Sequence, residues 1–244
     1  MARDGIPLLA VLIDADNVVA RHADAILKEI TGFGEPALRR VYGDWSSPRL
    51  AQWKEQARSL GLVMHQESAN TTGKNASDIG LVIDAMDILH AGKFDGFVLV
   101  SSDSDFTRLA SRIREEGLEV IGIGEAKTPE ALRNVCNRFV LIENIVNEPA
   151  AAPVAASKGA VPEPATSKQA PNKAIPLVVK AMQKIDPDGE WYGLGLIGQF
   201  IVKDNPDFDP RTYGSAKLSD LLKKTGRFEV IQGDGNHLLV RDKA

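Results

Sequence analysis

Four aspartates stand where a buried scaffold would leave a carboxylate facing outward. Asp14 ends the apolar run "LLAVLI" at 8–13. Asp103 and Asp105 follow "FVLV" at 97–100, in "VLVSSDSDF". Asp78 lies in "GKNASDIGLVIDAMD", three residues after an Asn75 placed to cap a helix. Carboxylates gathered in one crevice repel each other unless a cation neutralises them, and an all-oxygen set suits Mg²⁺ or Mn²⁺. Divalent-metal binding by Asp14, Asp78, Asp103 and Asp105 is therefore the chemistry expected. Plainer roles stay open: Asp103 or Ser102 can cap the helix that follows, Asp105 can favour its dipole, and Asp78 can complete a capping box with Asn75. Asn17 is spaced to bond the Asp14 carboxylate or a bound water, and Asp44, in "VYGDW", ends a further run at the rim; both are expected in supporting roles. Asp16 lies one pleat from Asp14 and should point elsewhere. Asp84 and Asp87 turn roughly 240° and 180° from Asp78 at 3.6 residues per turn and read as structural or solvated.

The elements that must position these groups can be read from spacing. Strands are expected at 8–13, 97–100 and 118–123, with others near 39–42, 62–66 and 138–142. Helices are expected over 47–60 (Leu50, Trp53, Ala57, Leu60), 76–90 (Ile79, Val82, Met86, Leu89) and 105–116 (Phe106, Leu109, Ile113). Strands alternating with such helices predict an α/β fold, a mostly parallel sheet flanked by helices. In such sheets ligands collect beyond the carboxyl ends of the strands. If the first and fourth strands are neighbours, Asp14, Asp103 and Asp105 converge, and a helix beginning near Asp78 can face them.

Residues 148–171, "EPAAAPVAASKGAVPEPATSKQAP", hold eight alanines and five prolines without an aromatic, Leu or Ile, and read as a semi-extended linker. They divide the chain into domains over 1–147 and 172–244. The first carries 16 Lys/Arg against 21 Asp/Glu and the second 11 against 10, so the acidity sits beside the carboxylates. In the second, the helix "AIPLVVKAMQKI", a Trp191-led strand or turn into another helix, a third helix and the pair "FEVI"/"HLLV" around a Gly-Asp-Gly turn predict a small winged-helix domain. A net charge of −4 argues against a protein held on nucleic acid by gross electrostatics, yet divalent ions can bridge carboxylates to phosphate. The sole cysteine, Cys136, reads as a buried structural thiol. It excludes a disulfide framework, and with no membrane-length apolar run and no signal-peptide pattern it leads us to expect a cytoplasmic protein.

The ordered set "VLIDADNVV", "GKNASDIGLVIDAMD", "VLVSSDSDF" and "RIREEGLEVIGIG" resembles the successive motifs of the NYN domain family, the LabA-like branch of PIN-like nucleases, over nearly all of 8–146. The resemblance implies a PIN-like α/β fold and metal-dependent cleavage of RNA, with Asp14, Asp78, Asp103 and Asp105 as catalytic metal ligands. This chain has Ser102 where the family usually has glycine in Gly-Asp-Ser-Asp-Phe, which bears on loop geometry. "RTYGSAKLSDLLKKTGRFEV" similarly resembles the LOTUS (OST-HTH) winged helix, implying RNA or a protein as partner. Arg211, Lys217, Lys223, Lys224 and Arg227 form a basic stretch able to meet phosphates, and Lys74 could neutralise a phosphate; solvated lysines are the plainer reading of each. Two other functions stay open. One is a non-catalytic RNA-binding adaptor. The other is a haloacid-dehalogenase-like phosphatase, with Asp14 as nucleophile and Asp16 as general acid, since "DAD" also resembles that family's strand-ending pair.

Overall fold

The computed structural model describes residues 5–66, 76–146, 168–233, 235 and 237–244, excepting the side chains of 76–78. Two compact units contain them, Met1–Asn147 and Glu148–Ala244.

In the first unit, strands β1 (Leu8–Asp14), β2 (Glu35–Gly43), β3 (Val63–Gln66), β4 (Gly96–Val100), β5 (Glu119–Gly124) and β6 (Arg138–Leu141) form one sheet in the order β3-β2-β1-β4-β5-β6, with every pair parallel. Among the described residues six α-helices accompany them: α1 (Ala23–Ile30), α2 (Ala51–Leu60), α3 (Ala76–His90), α4 (Thr107–Glu115), α5 (Glu130–Val135) and α6 (Ile142–Val146). Helices on both faces explain why β1 and β4 are apolar at nearly every position rather than alternating. Leu9, Val11 and Ile13 join Val98 and Val100 under α1, α2 and α6. Ala10 and Leu12 join Phe97 and Leu99 under α3, α4 and α5.

The chain winds from β1 outward to β3, returns beside β1 as β4, and winds outward the other way. The strand order thus reverses between β1 and β4. At such a reversal the flanking connections diverge to opposite faces and leave a crevice at the carboxyl ends. The neighbourhood of strands one and four, on which the convergence of Asp14 and Asp103 depends, is present.

β2 is longer than its apolar signal. Its start, Glu35-Pro36-Ala37, pairs only with β1, because β3 joins at Arg40–Gly43; an open edge tolerates a proline that cannot donate and a polar residue beside it.

The second unit comprises α7 (Ile175–Ile185), β7 (Tyr192–Gly193), α8 (Leu194–Asp204), α9 (Leu218–Thr225), β8 (Phe228–Gln232) and β9 (Leu238–Asp242). Val178, Met182, Ile197, Ile201, Leu221, Leu222, Phe228 and Val240 close its core. The helices and terminal hairpin follow the winged-helix expectation, with β7 added as a third strand on β9. Asp234 of the hairpin turn and residues 148–167 of the expected linker lie outside the described residues. Residues 168–171, which composition places in that linker, pack with this unit: Gln169 N donates to Thr212 O at 2.9 Å, and a short turn begins at Pro171. Among the described residues no helix is long and apolar enough to cross a membrane.

Candidate active site

Asp14 is the last residue of β1 and is 2% exposed. Its carboxylate takes four hydrogen bonds. Oδ1 accepts from the backbone N–H groups of Asp16 (3.0 Å) and Asn17 (3.3 Å), and Oδ2 accepts from Asn17 Nδ2 (2.6 Å) and Ser101 Oγ (2.9 Å). The first two bonds make a tight turn in which an aspartate side chain stands in for a backbone acceptor. The plain turn-forming role and the functional one therefore coexist in one residue. Burial pushes the Asp14 carboxyl above its ordinary value, while the bonds from Asn17, Ser101 and the Asp16 amide pull it back.

The loop that carries Asn17 is fixed from behind. Ala15 N donates to Tyr42 O at 2.9 Å, and the indole of buried Trp53, on α2, donates to Val18 O at 2.8 Å.

Ser101 follows β4 directly and links the two strand ends. Its Oγ donates to Asp14 and accepts from Asp103 N at 3.1 Å. Asp103, half-buried, caps the short turn Ser104–Phe106, its Oδ1 accepting from Asp105 N at 2.9 Å. The capping role expected as the plainer reading is thus real, and it occupies Oδ1. Asp105 is exposed one residue further on. Ser102, the position where the resemblance expects glycine, is 8% exposed, and its Oγ accepts from Glu125 N at 2.9 Å, tying the carboxylate loop to the end of β5.

Asp78 lies in the first turn of α3, which begins at the same end of the sheet; its side chain and Lys74 lie outside the described residues. Among the described residues no group of three or more Asp, Glu, His or Cys side chains is gathered to hold a metal. Asp14 and Asp103 nonetheless offer hard oxygen donors from adjacent strand ends, and a buried carboxylate with a raised proton affinity is one that a cation would relieve. The donor chemistry of these two oxygen-bearing side chains fits a hard divalent cation.

The surrounding residues sort by contact. Asp44 follows β2 and accepts from Ser46 N (3.0 Å), Ser46 Oγ (2.6 Å) and Gln66 Nε2 (3.1 Å), so it braces the β2–β3 rim rather than touching Asp14. Asp16 is turned outward, 3.7 Å from the guanidinium of Arg49, which is 83% exposed. Asp84, on α3, pairs with Arg40 and accepts from Tyr42 Oη. Its structural role agrees with its angular distance from Asp78. Tyr42 lies level with Asp14 in β2, and His65 level with Tyr42 in β3, their rings 5.2 Å apart. Sequence spacing missed Ser101 and Arg49. Ser101 carried a signal, as the first polar residue after a buried strand; nothing local marked Trp53 as the anchor of Asn17.

Arg211 departs from the phosphate-contacting expectation. It forms a paired bond with Asp209, with 15% of its side chain exposed, because a buried carboxylate needs a fixed counter-charge. Arg227 is likewise committed to Asp242. Lys217, Lys223 and Lys224 are exposed.

The profile of the NYN domain matches residues 8–143, more than half of the chain and all six strands of the first unit. The chain belongs to the NYN domain family. The OST-HTH/LOTUS domain profile matches residues 166–240, so the NYN domain is followed by a LOTUS domain. The NYN family lies in the PIN-like nuclease superfamily, and that assignment replaces the phosphatase reading of "DAD". A protein of unknown function from Vibrio parahaemolyticus RIMD 2210633, known from a crystal structure, is 23% identical, with a TM-score of 0.49 over 58% of this chain and 96% of that one. An uncharacterized protein from Nitrosomonas europaea, known from a solution NMR structure, is 35% identical, with a TM-score of 0.27 over 37% of this chain and 93% of that one. No curated protein matches the chain.

Proposed function

We propose that the chain is a divalent-metal-dependent ribonuclease hydrolysing RNA phosphodiester bonds. Its NYN domain, residues 1–147, would be joined through a linker beginning at 148 to a LOTUS domain that takes in residues 168–171 as well as 172–244 and meets RNA or a protein partner. A single buried thiol, Cys136, suits the reducing cytoplasm as its place of work. The observation that carries the reading is the placement of Asp14: a buried carboxylate at the point where the strand order reverses, tied through Ser101 to the loop of Asp103.

Asp14, Asp103 and Asp78 would hold Mg²⁺ or Mn²⁺, with Asp105 completing the set. When bound, the cation supplies Lewis acidity, polarising the scissile phosphate and lowering the pKa of the attacking water. Asn17 and Ser101 keep the Asp14 carboxylate in one orientation, as partners of ligating carboxylates generally do. Trp53 holds the Asn17 loop, Ser102 holds the Asp103 loop, and exposed Arg49 offers a positive charge to the phosphate at the same rim.

The non-catalytic reading has one observation on its side: both oxygens of Asp14 and Oδ1 of Asp103 already accept hydrogen bonds. Incubating single-stranded and structured RNAs with the chain and Mn²⁺ separates the two. Cleavage lost in Asp14→Asn and Asp103→Asn, with the fold intact, supports the nuclease. RNA bound tightly and never cut supports the adaptor.

A further inference from the structure

We propose that Asp84 pins the roll and register of α3 and is the positioning residue that sets where Asp78 stands relative to Asp14. The inference rests on Asp14 and Asp78 being metal ligands and goes further by naming what aligns one with the other.

Apolar packing alone does not decide how this helix sits. Leu81, Ala85, Ile88 and Leu89 are buried against the sheet, with Val82 and Met86 partly buried beside them. Yet Ile79 and Ile83, on the opposite side of the helix, are 60% and 58% exposed. Burial of apolar surface has no direction. A helix apolar on nearly every side could therefore exchange one set of residues for the other, or slip by one turn of about 5.4 Å, at modest loss. Either movement would carry Asp78, in the first turn, away from the strand ends.

Asp84 supplies the missing direction. Its Oδ1 accepts from Arg40 Nη1 and its Oδ2 from Tyr42 Oη. Arg40 and Tyr42 are alternate residues of β2, so both point to the face that α3 covers. Two donors spaced along a strand, each taking one oxygen of the same carboxylate, admit one placement of the helix. The side chains of Asp84 and Arg40 are 20% and 27% exposed, so water would compensate poorly if they were drawn apart. Burial, and then the bond to Asp84, raise the Tyr42 hydroxyl above its ordinary value, which keeps it a donor.

Tyr42 joins this pin to the carboxylate end of the sheet. It lies level with Asp14, and its carbonyl accepts from Ala15 N at 2.9 Å while its hydroxyl holds α3. One buried residue thus grips the chain just after Asp14 and the helix that carries Asp78. Asp78 precedes Asp84 by six residues, about 9 Å along the helix axis toward the strand ends. The same helix packs against β1 and against the turn Ser104–Phe106, which Asp103 caps. With Asp84 in place, the segments bearing Asp14, Asp78 and Asp103 share one frame.

The test is Mn²⁺ binding by the full chain without RNA, read by titration calorimetry in a double-mutant cycle of Asp84→Asn and Asp78→Asn. Asp84→Asn should weaken Mn²⁺ binding by about 10–100-fold, but by less than about twofold once Asp78→Asn is present. Tyr42→Phe removes one bond and keeps the buried ring; it should weaken binding in the same direction, with the same dependence on Asp78. In the metal-free chain, Asp84→Asn should quicken amide exchange at 79–83 while β1 and β4 keep their protection. Affinity unmoved by Asp84→Asn, an equal loss with and without Asp78, or unchanged exchange at 79–83 would each overturn the proposal. Faster exchange at 79–83, with Mn²⁺ bound by no form of the chain, would uphold the pin and sink the metal-ligand reading alone.

Discussion

Ser101 Oγ donates to Asp14 Oδ2 at 2.9 Å, joining two residues 87 positions apart at the ends of neighbouring parallel strands. With Asn17 Nδ2 on the same oxygen at 2.6 Å, the carboxylate is clamped from both flanks of the crevice. Ser101→Ala and Asn17→Ala should each lower RNA hydrolysis by about 10–100-fold, the usual cost of removing a partner from a ligating side chain. Urea titration should show a loss of only about 1–3 kcal/mol for the bond withdrawn from a buried group. Hydrolysis at the unaltered rate in both variants would remove the clamp from the mechanism.

Asp14 itself carries a cost in the folded chain, since burial disfavours its charged form. Asp14→Asn keeps the shape and discards the charge. Without added metal the variant should melt no lower than the unaltered protein. Mn²⁺ should raise the melting temperature of the unaltered chain only, by the equivalent of about 2.7 kcal/mol at a hundredfold excess over its Kd. Equal stabilisation of both proteins by Mn²⁺ would place the ion elsewhere.

Gly124 ends β5 beside this loop. A Cβ there would stand 2.7 Å from the Ser101 carbonyl oxygen and 2.7 Å from Thr128 Oγ1. Gly124→Ala must displace the Ser101 backbone, and overpacking of this kind costs about 1–3 kcal/mol. The displacement moves the hydroxyl off Asp14, so hydrolysis should fall further than stability does. Gly122→Ala, which strikes the Phe139 ring at 2.4 Å on the same strand, should lower stability while sparing the per-molecule rate of the folded fraction.

These relationships show how far the chain could be read beforehand. The buried strands declared themselves because both faces of a parallel sheet are covered, so β1 and β4 are runs of Val, Leu and Ile that nothing else explains. Helix α3 followed its spacing to the residue, Ala76–His90. The start of β2 was hidden because Glu35 and Pro36 sit on an edge, where burial imposes no pattern. At the site, the Asn17–Asp14 bond was legible because both ends lie within one turn. Ser101 was not, because its meaning depends on which strand lies beside β1. The same holds for Arg211: as a cation in a basic stretch it looked available, and only the fold sets Asp209 against it.

His65 supplies a pH dependence. Burial, the larger cause, holds its pKa below the usual histidine value, Arg40 adds to this, and Asp84 opposes it. The folded chain therefore binds fewer protons than the unfolded one between the depressed value and about 6.5. The contribution is fully present above that window and is lost as pH falls through it. Urea midpoints measured from pH 7 to pH 5 should decline, and His65→Gln should flatten that part of the curve. A decline of equal steepness in the variant would assign the effect to other groups.

The most direct test of the central claim is the Mn²⁺-dependent hydrolysis of RNA by the full chain beside its Asp14→Asn variant, with circular dichroism confirming that both are folded. The unaltered protein should cleave RNA in a way that chelator abolishes, and the rate in Asp14→Asn should be lower by about a thousandfold, ~4 kcal/mol in the barrier. Equal, metal-dependent cleavage by the two proteins would contradict it.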